Sequence, residues 1–96
     1  MRTIKDMLKV SDNEKVYVYC KDKETETRFL EDAQKEGFRF GDILPTASHP
    51  AQIIAIEGMD QLAHVGSVGH MAFQAGACTR IDYAKYIADE DDFIYR

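Results

Sequence analysis

The stretch Lys15-Val16-Tyr17-Val18-Tyr19-Cys20-Lys21 runs straight into Asp22-Lys23-Glu24-Thr25-Glu26-Thr27-Arg28-Phe29-Leu30-Glu31-Asp32-Ala33-Gln34-Lys35-Glu36-Gly37, and this junction decides the fold. In the first part Val16, Val18 and Cys20 alternate with Lys15, Tyr17, Tyr19 and Lys21. That is the period of two of a strand, and β-branched and aromatic residues favour it. The tyrosine face is expected either half covered by a helix or left for a partner. From Asp22 the pattern changes to that of a helix. Asp22 is placed to cap it, Glu24 and Glu26 sit in the first turn where the helix dipole favours negative charge, and Phe29, Leu30 and Ala33 make an apolar stripe. Glu24 with Arg28 and Glu31 with Lys35 have favourable i,i+4 polarity. Gly37 stands where a left-handed cap would close the helix, with Phe38 folding back over the last turn.

Upstream, Thr3 can cap a short helix with Ile4, Met7 and Leu8 on one face, stopped by Ser11-Asp12-Asn13. Downstream, Phe38 and Phe40 alternate with Arg39 in a short extended piece ending at Gly41-Asp42. Ile43 to Pro50 holds both prolines and reads as a loop. Gln52 to Glu57 and Gln61 to Ser67 read as a hairpin joined through Glu57-Gly58-Met59-Asp60. Leu62, His64 and Gly66 alternate with Ala63, Val65 and Ser67, and the apolar character of both faces suggests a central strand. His70 to Ala75 forms a helix closed by Gly76, Arg80-Ile81-Asp82 a last short strand, and Tyr83, Tyr86 and Ile87 a helical turn. The tail Phe93-Ile94-Tyr95 is too apolar to hang free and packs back. The expected fold is α+β: a small single sheet of three to five mostly antiparallel strands with helices packed on one face, residues 1–96 forming one domain.

Composition narrows the classes of function. The 96 residues carry 12 Lys and Arg against 17 Asp and Glu, a net charge of -5. A general phosphate-binding surface is therefore not expected, nor direct nucleic-acid binding. The acidity is uneven, with seven basic and six acidic residues in 1–30 but five and eleven in 31–96. The longest apolar run, Ile53 to Ile56, is far short of a membrane span, and no secretory signal follows Met1. Cys20 and Cys78 lack Cys-x-x-Cys spacing and are expected as two free thiols in a reducing cytoplasm.

Between Ile43 and Thr79 only Glu57 and Asp60 are charged, while His49, His64, His70 and four of the six glycines fall there. Read as core, this is the hairpin and its following helix. Read as a site, Gly66, Ser67, Gly69 and His70 form a turn where backbone N–H groups meet an anionic metabolite or signalling nucleotide, with Arg80 or Arg39 supplying positive charge. Gly66-x-x-Gly69 lacks a following Lys-Ser/Thr, and His49, His64 and His70 with Cys78 or Asp60 lack metal-ligand spacing, so neither cofactor nor metal is called for. Ser67 and His70 are close enough in sequence to meet as nucleophile and base of a small hydrolase or transferase. The run Asp89-Glu90-Asp91-Asp92 with Asp82 offers an acidic surface, and Tyr83, Tyr86 and Tyr95 offer aromatic anchors of the kind enriched at interfaces.

Val16-Tyr17-Val18-Tyr19-Cys20-Lys21-Asp22, Gly37-Phe38-Arg39-Phe40-Gly41-Asp42, Val65-Gly66-Ser67-Val68-Gly69-His70-Met71-Ala72-Phe73 and Ile81-Asp82-Tyr83-Ala84-Lys85-Tyr86 together resemble short proteins without an assigned activity carried by phages and mobile elements of gut Firmicutes. The resemblance implies context and no residue role: such proteins often inhibit host defence or regulate the genes of their element. The expected function is a small acidic, non-enzymatic, cytoplasmic binding protein, an anti-defence inhibitor or regulator that masks a protein partner with a basic surface. Exposed edges of a small sheet also make a homodimer an open option.

Overall fold

The strand read from Lys15 onward is the hub of the molecule. A computed structural model describes residues 2–10, 16–48, 51–57, 60–65, 71, 74, 75 and 79–94. Its elements are α1 (Ile4–Val10), β1 (Val16–Tyr19), α2 (Lys23–Lys35), a 3-10 turn at Pro45–Ala47, β2 (Ile53–Glu57), β3 (Gln61–His64), β4 (Thr79–Asp82) and α3 (Tyr83–Ile87). The four strands make one sheet in the order β3-β2-β1-β4. β1 pairs antiparallel with β2, Val18 opposite Ile54, and β2 pairs antiparallel with β3, Ala55 opposite Ala63. The pairing of β1 with β4 is parallel, Val18 opposite Ile81. The fold is α+β, its sheet mixed.

Alternation along the strands separates two apolar layers. Val16, Val18 and Cys20 from β1 and its end, Ile54, Ile56, Leu62 and Ile81 face the helices and pack with Ile4 and Met7 of α1, Phe29, Leu30 and Ala33 of α2, and Tyr83 and Tyr86 of α3. Phe29 is fully buried there, so Phe29→Ala would cost about 3–5 kcal/mol. On the opposite face Tyr17, Ile53 and Ala55 are also buried, with Tyr19, Ala63 and Val65 packed beside them. Of the tyrosine face expected on β1, Tyr17 is therefore inside the molecule and Tyr19 half-buried.

Local chemistry fixes the helix ends. Thr3 and Asp6 cap α1 reciprocally: the Asp6 N–H donates to Thr3 Oγ1 at 3.1 Å and the Thr3 N–H to Asp6 Oδ2 at 3.2 Å. Asp22 Oδ1 accepts from the Thr25 N–H at 2.8 Å and from the Thr25 hydroxyl at 2.7 Å. These bonds hold the carboxyls of Asp6 and Asp22 below their ordinary pKa. α2 ends as Gly37 implied: at φ 90° it lets the Phe38 N–H reach Ala33 O at 2.9 Å and its own N–H reach Gln34 O at 3.2 Å. Arg28 turns toward Asp32, with Nε at 3.0 Å from Oδ2, rather than back to Glu24 as expected.

β3 is an edge strand, not a central one. Its outer side is partly covered by the chain leaving α2, where Leu62 N–H donates to Arg39 O at 2.8 Å and Arg39 N–H to Asp60 O at 3.0 Å. The apolar pattern on both faces of this edge strand has another cause: the sheet carries an apolar layer on each side, with Leu62 in the one facing the helices and Ala63 and Val65 beside Tyr17, Ile53 and Ala55 in the other. At the other edge the Asp82 N–H donates to Phe93 O at 2.7 Å and Ile81 bridges Ile94, so the apolar tail does pack back. The helix expected over His70–Ala75 lies mostly outside the described residues.

Candidate functional site

The acidic end of the chain is built on α3. Asp82 caps it, Oδ1 accepting from the Lys85 N–H at 3.4 Å. At its far end Asp89 takes φ 60°, and the bonds Asp89 N–H to Tyr86 O (3.3 Å) and Glu90 N–H to Lys85 O (3.2 Å) form the same left-handed closing turn that ends α2. Here an aspartate stands where Gly37 stands in α2. The turn leaves Asp89, Glu90, Asp91 and Asp92 exposed.

Arg2 ties this turn to the rest of the molecule. Its Nη1 donates to Glu90 O at 2.8 Å and to Tyr86 O at 3.1 Å, satisfying carbonyls at the negative end of α3. The guanidinium carbon lies 5.3 Å from the Tyr86 ring centre and 4.8 Å from that of Phe93, while Tyr86 and Phe93 meet edge to face at 5.1 Å. Arg2 also approaches the Asp89 and Asp91 carboxylates at 3.8 Å each. Two of the exposed acids thus share one cation.

The tyrosines expected beside these acids as anchors are in the core. Tyr83 and Tyr86 are each 2% exposed. The Tyr83 hydroxyl donates to Asp32 Oδ2 at 2.5 Å and the Tyr86 hydroxyl to Thr3 O at 2.6 Å. Burial, reinforced by the Asp32 carboxylate, drives the Tyr83 pKa far up. Burial, with the Asp6 charge behind it, pushes Tyr86 to about 12. Each ring is amphipathic, and the chain itself uses both ends: the ring fills the seam between helices and sheet, and the hydroxyl satisfies a polar group of another element. Tyr95 lies outside the described residues.

Gly66, Ser67, Gly69 and His70, proposed from sequence as an anion-binding turn or as a nucleophile and base, also lie outside the described residues, as do His49 and Cys78. Arg80 is half-buried on β4, in register with Tyr17. Arg39 is half-buried and donates to Phe38 O at 2.8 Å. Cys20 is buried, and burial, helped by the charges of Glu26, Asp82 and Asp22, raises its thiol to about 12, which removes it as a nucleophile. Among the described residues no group of three or more His, Cys, Asp and Glu is placed to hold a metal ion, and no helix is long and apolar enough to cross a membrane.

Two clusters escaped the sequence reading. A cleft of about 180 Å³ between α1, α2 and α3 is lined by Arg2, Thr3, Asp32, Lys35, Glu36 and Tyr83. Its carboxylates are engaged: Asp32 holds Arg28 and Tyr83, and Glu36 accepts the N–H groups of Ile4 at 2.7 Å and Lys5 at 3.0 Å, a second cap for α1. The other cluster joins Ser48 and His64, with Ser48 Oγ 2.9 Å from His64 Nε2 and the imidazole stacked on Phe40 at 4.4 Å and 9°. Nothing in the local sequence marks either meeting, because each depends on a loop or helix docking across the sheet. Compared with protein-family models, with curated proteins and with solved structures, the chain matches none.

Proposed function

We propose that this chain is a small binding protein that docks through Asp89, Glu90, Asp91 and Asp92 on the basic surface of a protein partner and masks it. The observation that supports the reading is the presentation of four consecutive exposed acids on a turn whose backbone is held by two closing hydrogen bonds and two more from Arg2. A turn fixed before binding loses little conformational entropy on docking, and its charges accelerate encounter with a basic patch. Asp82, half-buried and capping α3, shapes this surface from below, and Tyr83 and Tyr86 support it from inside. An anti-defence or regulatory role in the cytoplasm, with a protein rather than a nucleic acid as partner, belongs to the same reading.

The test compares the wild-type chain with a variant carrying Asp89→Asn, Glu90→Gln, Asp91→Asn and Asp92→Asn, both immobilised and offered host proteins at low and high salt. A partner retained by the wild type at low salt, released as salt screens the charges, and absent from the variant supports the reading. Equal retention on both columns, or retention indifferent to salt, overturns it.

A further inference from the structure

Ser48 and His64 are brought together by elements distant in sequence. Ser48 follows the 3-10 turn, where its N–H donates to Pro45 O at 3.1 Å and its backbone is extended, with φ -88° and ψ 159°. His64 ends β3 and is exposed. Its ring lies flat against Phe40, which is itself fixed by paired hydrogen bonds with Ile43, Phe40 N–H to Ile43 O and Ile43 N–H to Phe40 O, both 3.0 Å. The loop between them is tied down further by the Gly41 N–H to Gln61 Oε1 at 3.1 Å and by Thr46, whose N–H and hydroxyl both reach Gln34 Oε1. The 2.9 Å contact therefore joins two well-anchored pieces of chain, and Ile43 and Leu44, a few residues before Ser48 in the same loop, are exposed.

We propose that Ser48 and His64 are a nucleophile and general base that hydrolyse activated acyl esters with an aliphatic acyl chain. This activity goes beyond the binding reading above and is independent of it. In the tautomer carrying its hydrogen on Nδ1, His64 accepts the Ser48 hydroxyl proton at Nε2. Ser48 Oγ bonds to the ester carbonyl carbon, the bond to the leaving oxygen breaks, and that oxygen departs with the proton from His64. Water then attacks the acyl-serine and gives its proton to Nε2. The carboxylic acid leaves as the Ser48 oxygen recovers a proton from His64. The stack on Phe40 sets the plane of the imidazole through both steps. The Ser48 N–H is spent on Pro45 O and gives no help to the oxyanion, which restricts the substrates to acyl esters with a weakly basic leaving oxygen, such as aryl esters. Ile43 and Leu44 supply apolar surface for the acyl chain.

The experiment offers the full chain 4-nitrophenyl butyrate at mildly alkaline pH, follows release of nitrophenolate, and maps the acyl group by peptide mass spectrometry. The expected result is turnover with a butyryl group on Ser48, abolished as an adduct in Ser48→Ala and slowed about a hundredfold in His64→Gln, both variants keeping the wild-type melting curve within a few degrees. Adducts found only on lysines or other side chains, or a wild-type rate no higher than that of the two variants, overturn the proposal. The adduct map is made on the wild-type chain, so the outcome stands even if a variant folds poorly.

Discussion

The hydroxyl of Tyr83, at the start of α3, donates to Asp32 in the last turns of α2 at 2.5 Å, while Arg28 approaches the same carboxylate at 3.0 Å. Tyr83→Phe removes one of the two donors, Tyr83 and Arg28, that serve a mostly buried carboxylate, and is expected to cost about 1–2 kcal/mol. Calorimetry should show the melting point lower by about 5–10 °C. A double-mutant cycle with Asp32→Asn should return most of that loss as coupling energy. Additive effects of the two substitutions would show that the contact contributes nothing of its own.

The closing turns of α2 and α3 share a geometry but not a residue type. Gly37 sits at φ 90° with nothing within 4 Å of where a Cβ would stand. Gly37→Ala therefore reports backbone strain alone and should destabilise the chain by about 1 kcal/mol in urea denaturation.

The reverse substitution applies at Asp89, φ 60°. Asp89→Gly relieves the left-handed strain and loses only an exposed contact with Arg2 at 3.8 Å. A gain of about 0.5–1 kcal/mol is expected, read as a higher denaturation midpoint at unchanged slope.

Arg2→Ala removes two hydrogen bonds to carbonyls, two ring contacts and two long ion pairs at once. The expected loss is about 2–3 kcal/mol, and hydrogen exchange should accelerate at the Asp82 and Glu90 amides. Arg2→Lys should recover little of it, because an ammonium cannot bridge the same carbonyls while lying flat on Tyr86 and Phe93.

Stability should fall in alkali. Cys20 and Tyr86 are each raised by burial to about 12 from ordinary values of 9.0 and 10.0, and Tyr83 is raised further. The native chain therefore keeps protons that the unfolded chain gives up. This contribution is complete below about pH 9 and is lost as pH rises toward 12. Urea midpoints should stay level up to about pH 9 and decline steadily between pH 9 and 11. A flat profile would mean that these groups titrate alike in both states.

The parts of the fold visible in the sequence are those written in neighbouring residues. β1 shows in its alternation, α2 in Asp22, its Phe29-Leu30-Ala33 stripe and Gly37, the β2–β3 hairpin in its turn residues, and the return of the tail in Phe93-Ile94. What stayed hidden depends on distant partners. Apolar layers on both sides of the sheet made the edge strand β3 look central, and Glu36 capping α1 leaves no mark at either position. Tyr83 and Tyr86 have the composition of a recognition surface, and only the docking of α3 against α1 and α2 shows that their hydroxyls serve Asp32 and Thr3. The acids 89–92 were legible as exposed charge, whereas the Arg2 clamp and the Ser48–His64 contact were not.

The place of β1 between β2 and β4 sets the order of assembly. The β2–β3 hairpin and the β1–α2 unit form from nearby residues, but Val16 can pair with Thr79 only after most of the intervening chain has been gathered in. Docking of β4 and α3 is then the late event, and the Tyr83–Asp32 bond forms with it. Tyr83→Phe should consequently quicken unfolding and leave the refolding rate nearly untouched, whereas Val18→Ala, in the strand on which both neighbours assemble, should slow refolding.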